Sequence, residues 1–202
     1  HRLPIRDRLE LFITVCNAVQ HAHQKGIVHR DLKPSNILVA SRDDGEDGPP
    51  MPTVIDFGVA KATSESDADK TFHTHGGQML GTPAYMSPEQ AEPGVVDIDS
   101  RSDVYTLGVL LYELLTGRPP FEASEVRRSG MEEMCRLIRE VDPPTPLACV
   151  QEMSETQVAL LADQRSTTPV KLLALLKGDL SLIAAKALEK DRARRYQTAN
   201  GF

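Results

Sequence analysis

The sequence contains few aromatic residues: no tryptophan, five phenylalanines and four tyrosines in 202 residues. This scarcity argues against a surface that binds single-stranded nucleic acid by stacking on its bases. The formal net charge of -6 also argues against general electrostatic attraction to nucleic acid or to an anionic membrane surface. We therefore expect no contact with nucleic acid or membrane within these residues.

Cysteine is also scarce. The three cysteines, Cys16, Cys135 and Cys149, are odd in number and far apart, and no C-x-x-C pair occurs. This usage argues against a disulfide framework and against a zinc site, and it indicates reduced, buried thiols in a cytoplasmic compartment. No apolar run approaches the roughly 20 residues that a membrane-spanning helix needs.

The remaining composition, 40% hydrophobic and 26% charged, is that of a globular domain long enough to bury a core. Its most apolar segment runs from Val104 to Leu115, where only Thr106 and Glu113 are clearly polar. A helix that is apolar on nearly every face must be buried on nearly every face. We therefore predict a central core helix over about residues 101–116.

Weaker patterns predict the elements before this helix. Helical periodicity indicates an amphipathic helix over residues 7–25, and two short apolar runs, 37–39 and 53–55, indicate a small β-hairpin. His21 and His23 lie on the first helix at a spacing of i, i+2, which does not place two ligands on one helix face. We therefore expect no metal site at this pair.

Two polar stretches interrupt the pattern. Residues 61–80 are rich in serine, threonine and aspartate, and we interpret them as an irregular loop. Residues 142–170 are rich in proline, serine, threonine and glutamine, which indicates a long connection with a helical piece near residues 155–163. Helical periodicity returns over residues 170–190.

Four short motifs carry the chemistry. Residues 29–36 read HRDLKPSN, residues 56–58 read DFG, residues 81–83 read GTP and residues 87–89 read SPE. Their order and spacing resemble the protein kinase family. The lysine within HRDLKPSN and the GTP run resemble its serine/threonine branch. The resemblance covers nearly the whole chain, but these 202 residues contain no G-x-G-x-x-G and no V-A-I-K before the HRD motif.

The resemblance implies a fold and a domain organisation. We expect residues 1–202 to form the C-terminal lobe of a protein kinase catalytic domain, mainly α with short β hairpins around the buried central helix. It would comprise a catalytic loop at residues 29–36, an activation segment at residues 56–89 and an insert at about residues 142–178.

The resemblance also implies an activity: transfer of the ATP γ-phosphate to serine and threonine hydroxyls of proteins. Asp31 would accept the proton of the substrate hydroxyl and orient its oxygen, and Lys33 would offset charge on the transferring phosphate. Asn36 and Asp56 would bind Mg²⁺, which prefers hard oxygen ligands. ATP and Mg²⁺ are therefore the expected cofactors, and proteins with serine or threonine the expected substrates.

Supporting roles follow from the same resemblance. Thr82 would line the substrate pocket, and Arg30 would pair with a phosphate on the activation loop, with Thr74 as the first candidate and Thr71 as the second. The residues expected to support the site structurally are His29, Phe57, Gly58, Glu89, Asp103 and Arg195, with Glu89 and Arg195 forming a buried ion pair.

The residue patterns at positions 81–91 and 187–191 are similar to bacterial serine/threonine kinases, and the insert at about residues 142–178 is similar to planctomycete-type members. The kinase portion would be cytoplasmic. Two other readings are a kinase-like binding module that transfers no phosphate and a truncated product. The intact Asp31, Asn36 and Asp56 argue against a pure binding module. The isolated chain is expected to be inactive under every reading, because the glycine-rich cover and its lysine are not among these residues.

Overall fold

The computed structural model describes residues 2–40, 50–57, 83–94 and 97–202, with no account of the side chains of residues 123–129. This part of the chain is mainly helical with one short hairpin, as predicted. It contains no helix long and apolar enough to cross a membrane. The helices are α1 (Ile5–Gln24), α2 (Pro88–Ala91), α3 (Ser100–Thr116), α4 (Ala123–Glu140), α5 (Pro146–Gln151), α6 (Glu155–Gln164), α7 (Pro169–Leu176) and α8 (Asp179–Ala187), and the strands are β1 (Ile37–Ala40) and β2 (Met51–Val54).

Helix α3 is the central core helix that the sequence predicts. Leu107, Val109 and Leu115 are fully buried, and nearly every other side chain of the helix is buried as well. The Asp99 carboxylate caps its N-terminus by accepting a hydrogen bond from the backbone N–H of Arg101. Gly117 ends it in the left-handed conformation (φ 83°), which glycine adopts without steric cost.

Helix α1 lies beside α3 and supports the hairpin. Its apolar face, including the fully buried Val19, packs with Leu107 of α3, Val54 of β2 and Leu32 in one cluster. Leu32 belongs to the HRDLKPSN segment. The HRDLKPSN segment is therefore held in place by the buried side chain of Leu32, which α1, α3 and the hairpin surround.

The hairpin strands are antiparallel, with Ile37 opposite Val54. Strand β2 begins at Met51, two residues before the predicted run, because the ladder continues as far as Ala40. Leu38 and Met51 share one face of the hairpin and are each more than half exposed, so this face is an apolar surface that the described part of the chain leaves uncovered; Val39, also half exposed, lies on the opposite face.

The segment predicted as a long connection contains α5 and α6, and α7 begins at its end. Its threonines and serines, which favour loops, serve here as N-caps: Thr145, Ser154 and Thr168 each accept a hydrogen bond from a backbone N–H one turn later. Proline occupies the first turn of α5 and α7, where the backbone N–H would have no partner within the helix. The helix predicted near residues 155–163 is confirmed as α6, and the irregular structure predicted for residues 146–151 is wrong, because the loop-like composition there marks a helix start.

These three helices are joined to α3 by a buried arginine. Arg165 is 2% exposed, and its Nε and Nη2 donate to the carbonyl oxygen of Leu114 at 3.1 and 2.7 Å, while Nη1 donates to that of Leu161 at 3.2 Å. Leu114 lies in the last turn of α3, where carbonyls lack partners within the helix and the helix dipole favours a cation. Burial lowers the pKa of Arg165 to about 10.

Replacing Arg165 by Met tests this link. Arg165→Met keeps an unbranched side chain but leaves the Leu114 carbonyl buried without its donor, so the free energy of unfolding should fall by about 1–3 kcal/mol. Urea unfolding followed by circular dichroism measures the loss. The exposed Arg194 provides the control, since Arg194→Met should cost under about 1 kcal/mol. Equal losses in the two variants would contradict the proposed anchoring.

Candidate active site

The backbone of the HRD motif is held by one buried carboxylate. Asp103, in the first turn of α3, is 1% exposed. Its Oδ2 accepts the backbone N–H of His29 at 2.8 Å, and its Oδ1 accepts that of Arg30 at 2.9 Å. The two residues before Asp31 are therefore fixed to the central helix.

A histidine from α1 completes this arrangement. The Nε2 of His23 lies 2.7 Å from Asp103 Oδ2, and both side chains are almost fully buried. Sequence analysis considered His23 only as half of a metal-binding pair with His21. Its actual partner lies 80 positions away along the chain, a contact that helical spacing cannot reveal.

The imidazole of His29 connects the catalytic loop to the segment containing Asp56. Its Nδ1 lies 3.3 Å from the backbone N–H of Asp31 and accepts that hydrogen, which assigns the ring proton to Nε2. Nε2 then donates to the carbonyl oxygen of Ile55 at 3.0 Å. The ring is fully buried and contacts Phe57, with 4.8 Å between ring centroids.

The side chains of Asp31 and Lys33 meet at the surface. Lys33 Nζ donates to Asp31 Oδ2 at 2.8 Å, and the Asp31 side chain is 46% exposed. The carboxylate is therefore held in place and can still be reached by an incoming hydroxyl.

Asn36 lies between Asp31 and Asp56. Its side-chain Nδ2 donates to the backbone carbonyl of Asp31 at 2.8 Å. Its backbone carbonyl accepts a hydrogen bond from the backbone N–H of Ile55 at 3.0 Å. Because the amide nitrogen faces Asp31, the amide oxygen is the Asn36 atom that could ligate a cation. Ile55 is thus bonded through both backbone groups, which fixes the residue directly before Asp56.

Asp56 and Arg30 both have left-handed backbones, with φ values of 58° and 65°. This conformation costs a residue with a Cβ atom about 1–2 kcal/mol, although aspartate tolerates it better than most. Both residues adjoin backbone groups that buried partners hold: Asp103 for Arg30, and His29 with Asn36 for Asp56. The surrounding hydrogen bonds therefore maintain two strained conformations at the two ends of the site.

The Arg30 guanidinium contains a buried Nε that lacks a hydrogen-bond partner within the described part of the chain. Its predicted phosphate-bearing partners, Thr71 and Thr74, lie outside the described residues, as do Thr82 and Gly58.

Glu89 and Arg195 form a buried ion pair. Two parallel hydrogen bonds, from Nη1 to Oε1 and from Nη2 to Oε2, are each 2.8 Å long. The Ser102 hydroxyl also donates to Glu89. Burial opposes ionisation of Glu89, but the hydrogen bonds and charge of Arg195, helped by Ser102, outweigh it and hold the pKa of Glu89 below its ordinary value. Arg195 further donates to the carbonyl oxygens of Arg101, Glu189 and Lys190.

The pair makes stability depend on pH. Because the folded-state pKa of Glu89 is below the ordinary 4.5, the unfolded chain binds the proton first as the pH falls. The stabilisation by Glu89 is therefore complete above about pH 4.5 and is lost as the pH falls through the lower folded-state pKa. Glu89→Gln should lower the free energy of unfolding by about 3 kcal/mol near neutral pH, because it leaves Arg195 buried without a counter-charge.

Urea unfolding over a range of pH tests this. The difference in the free energy of unfolding between wild type and Glu89→Gln should become smaller as the pH is lowered below about 4.5. Glu92→Gln is the matched control, since Glu92 is half exposed beside Arg139 and its pair should contribute under about 1 kcal/mol. A deficit of Glu89→Gln that stays constant on acidification would show that the charge of Glu89 is not what stabilises the fold.

Comparison with known proteins identifies the family. The model of the protein kinase domain matches residues 2–199. The chain belongs to the protein kinase family. It is 35% identical to the serine/threonine-protein kinase PknB of Mycobacterium leprae over 98% of this chain and 25% of that protein. It is 37% identical to the serine/threonine-protein kinase pkn3 of Myxococcus xanthus over 89% of this chain and 31% of that protein.

These relatives are bacterial serine/threonine kinases, which confirms the predicted branch of the family. The planctomycete-like character of the insert stays a prediction. The chain spans about a quarter to a third of the length of these curated relatives.

Solved structures show the same fold. The kinase domain of Mycobacterium tuberculosis PknI is similar with a TM-score of 0.57 and 22% identity, over 99% of this chain and 54% of that chain. The twitchin kinase region from C. elegans is similar with a TM-score of 0.60 and 23% identity, over 98% of this chain and 28% of that chain.

Proposed function

We propose that this chain supplies the catalytic and metal-binding residues of a serine/threonine protein kinase that transfers the ATP γ-phosphate to protein hydroxyls. The observation that carries the proposal is the reachable Asp31 carboxylate, held by Lys33, in a loop that buried Asp103 and His29 fix from behind. Phosphoryl transfer depends mainly on such positioning and on charge neutralisation.

In this proposal Asp31 orients the acceptor hydroxyl and takes its proton. The Lys33 ammonium group holds Asp31 Oδ2, while Oδ1, for which the described residues provide no hydrogen-bond partner, would accept the hydrogen bond of the substrate hydroxyl. Lys33 would offset charge on the transferring phosphate, and the position of its Nζ beside the same carboxylate supports this role.

Asn36 and Asp56 would bind the magnesium that accompanies ATP. Their donor atoms are an amide oxygen and a carboxylate, which are the oxygen ligands Mg²⁺ prefers, and Asp56 is exposed. The described part of the chain holds no cluster of three or more His, Cys, Asp or Glu side chains that could bind a metal. A site with two protein ligands suits Mg²⁺, which usually completes its shell with water and substrate phosphates. The bound ion would supply charge neutralisation at the phosphates.

The exposed face of the hairpin supports the placement of this chain as a C-terminal lobe. Leu38 and Met51 form an apolar surface on one face of the hairpin, beside the loop that ends at Asn36. An N-terminal lobe with a glycine-rich loop and a phosphate-pairing lysine would cover it and enclose the adenine. We therefore propose that these 202 residues alone transfer no phosphate, and that the complete protein does so in the cytoplasm.

Asp31→Asn in the full-length protein tests the catalytic assignment. The variant should lower kcat by about 10²-fold or more while the thermal unfolding midpoint stays near that of wild type, because the side chain is half exposed. Transfer of radiolabelled γ-phosphate to a generic protein substrate measures the loss. Asp7→Asn, an exposed change on α1, should leave kcat unchanged. Full activity of Asp31→Asn would refute the assignment, and an inactive wild type would favour a binding module.

The predicted switch is tested at Thr74. The buried Nε of Arg30, which has no hydrogen-bond partner among the residues that the structure describes, supports the proposal that a phosphate on the activation loop pairs with this arginine. Thr74→Ala should lower kcat by about fivefold or more, and Thr71→Ala by less. Mass spectrometry of the active kinase that finds no phosphate on either threonine would overturn this regulation.

A further inference from the structure

A glutamine side chain joins the end of the activation segment to the catalytic loop. Gln90, in the short helix α2, donates from Nε2 to the backbone carbonyl of Arg30 at 2.6 Å. Its other side-chain atom, Oε1, accepts the backbone N–H of Ser87 at 3.1 Å and so closes the cap of α2. Sequence analysis assigned Gln90 no role, because the two bonded segments are 60 positions apart.

The carbonyl that Gln90 holds belongs to the peptide group between Arg30 and Asp31. The N–H of the same peptide group belongs to Asp31 and donates to His29 Nδ1 at 3.3 Å. Peptide groups are planar, so bonds to the oxygen and to the hydrogen together fix the rotation of the whole group. This plane is attached directly to the Cα of Asp31, and its rotation therefore sets the direction of the Asp31 side chain.

The plane needs such restraint because Arg30 is left-handed, with φ 65°. A residue with a Cβ atom leaves this conformation readily unless its neighbours hold it. Asp103 holds the Arg30 N–H at 2.9 Å, and Gln90 holds the Arg30 carbonyl at 2.6 Å. The two bonds come from different elements, α3 and α2, on either side of the strained residue.

Helix α2 is itself firmly placed. Glu89, the neighbour of Gln90, forms the bidentate pair with buried Arg195 and accepts a hydrogen bond from Ser102. Ser87 caps the helix and bonds Ser102 as well. The position of α2 is thus transmitted to the Arg30 carbonyl through one rigid amide.

We propose that Gln90 is a positioning residue for phosphoryl transfer, which orients Asp31 through the Arg30–Asp31 peptide group and makes that orientation depend on the placement of α2. The inference rests on the proposed kinase function and deepens it. Without the Gln90 amide, Asp103 would hold only the N–H side of Arg30, and the Arg30–Asp31 peptide group would keep only the 3.3 Å bond from the Asp31 N–H to His29, so the Arg30 carbonyl could rotate. The substrate-accepting carboxylate would then sample unproductive directions.

Two variants of the full-length kinase test the proposal. Gln90→Leu keeps the side-chain size and removes the donor, and Gln90→Glu keeps the capping acceptor but places a carboxylate oxygen against the Arg30 carbonyl. Each variant should lower kcat by about tenfold or more, and the kcat of Gln90→Glu should be lower than that of Gln90→Leu. The KM for ATP should stay within about twofold of wild type.

Gln157→Leu is the matched control. Gln157 closes the capping box of α6 as Gln90 closes that of α2, but within the described part of the chain its side chain bonds only Ser154, so the kcat of Gln157→Leu should stay within about twofold of wild type even if its thermal unfolding midpoint falls. If Gln157→Leu and Gln90→Leu lose activity and thermal stability in parallel, Gln90 serves only the helix cap and the proposal is overturned.

Asp31→Asn separates the two levels of inference. An active wild type with an inactive Asp31→Asn variant establishes the underlying function, and normal kcat in both Gln90 variants would then overturn the positioning role alone. If wild type transfers no phosphate or Asp31→Asn remains active, the proposed function itself fails, and the positioning role fails with it.

Discussion

The buried carboxylate of Asp103 is the interaction on which the site depends. It accepts hydrogen bonds from two consecutive backbone N–H groups of the catalytic loop, and His23 holds it from a third direction. A buried charge is costly unless hydrogen bonds satisfy it, so these donors stabilise Asp103 while Asp103 fixes the loop. The loop thereby takes its position from α3, which is buried on nearly every face.

From this point the hydrogen bonds extend in two directions. Through His29 they reach the carbonyl of Ile55 and so fix the backbone directly before Asp56. Through Gln90 they reach α2, the helix that the Glu89–Arg195 pair anchors. The proposed proton acceptor and the proposed metal ligand are therefore placed by the same buried framework. Two left-handed residues, Arg30 and Asp56, lie within this framework, whose hydrogen bonds hold the neighbouring backbone groups.

The helices α5–α7 belong to the same core. Leu161, Leu172 and Leu176 pack against Leu115, and Arg165 bonds the carbonyl of Leu114 at the opposite end of α3 from Asp103. One helix thus holds the HRD segment at its N-terminus and the helices α5–α7 at its C-terminus. A displacement of α3 would therefore shift both the HRD segment and the helices α5–α7, because the side chains of α3 are close-packed along its whole length.

The sequence by itself determined the central helix, the hairpin and the family, because unbroken apolarity and the HRDLKPSN and DFG motifs are local patterns. The motifs singled out Asp31, Asn36 and Asp56 as candidate site residues, but the hydrogen bonds that hold these residues are known only from the fold. The sequence pattern predicted α6 near residues 155–163 but missed α5, since Ser, Thr and Pro favour loops and helix starts alike and only packing in the core distinguishes the two.

Only the tertiary structure decided the roles of His23, Gln90 and Arg165. Each of them bonds a group 51 to 80 positions away along the chain, at a backbone carbonyl or carboxylate that no periodicity identifies. Secondary structure follows from neighbours along the chain. Packing of the helices removes water from certain polar groups, and these groups become the hydrogen-bond partners of buried polar side chains. Which groups lose water is known only once the chain has folded.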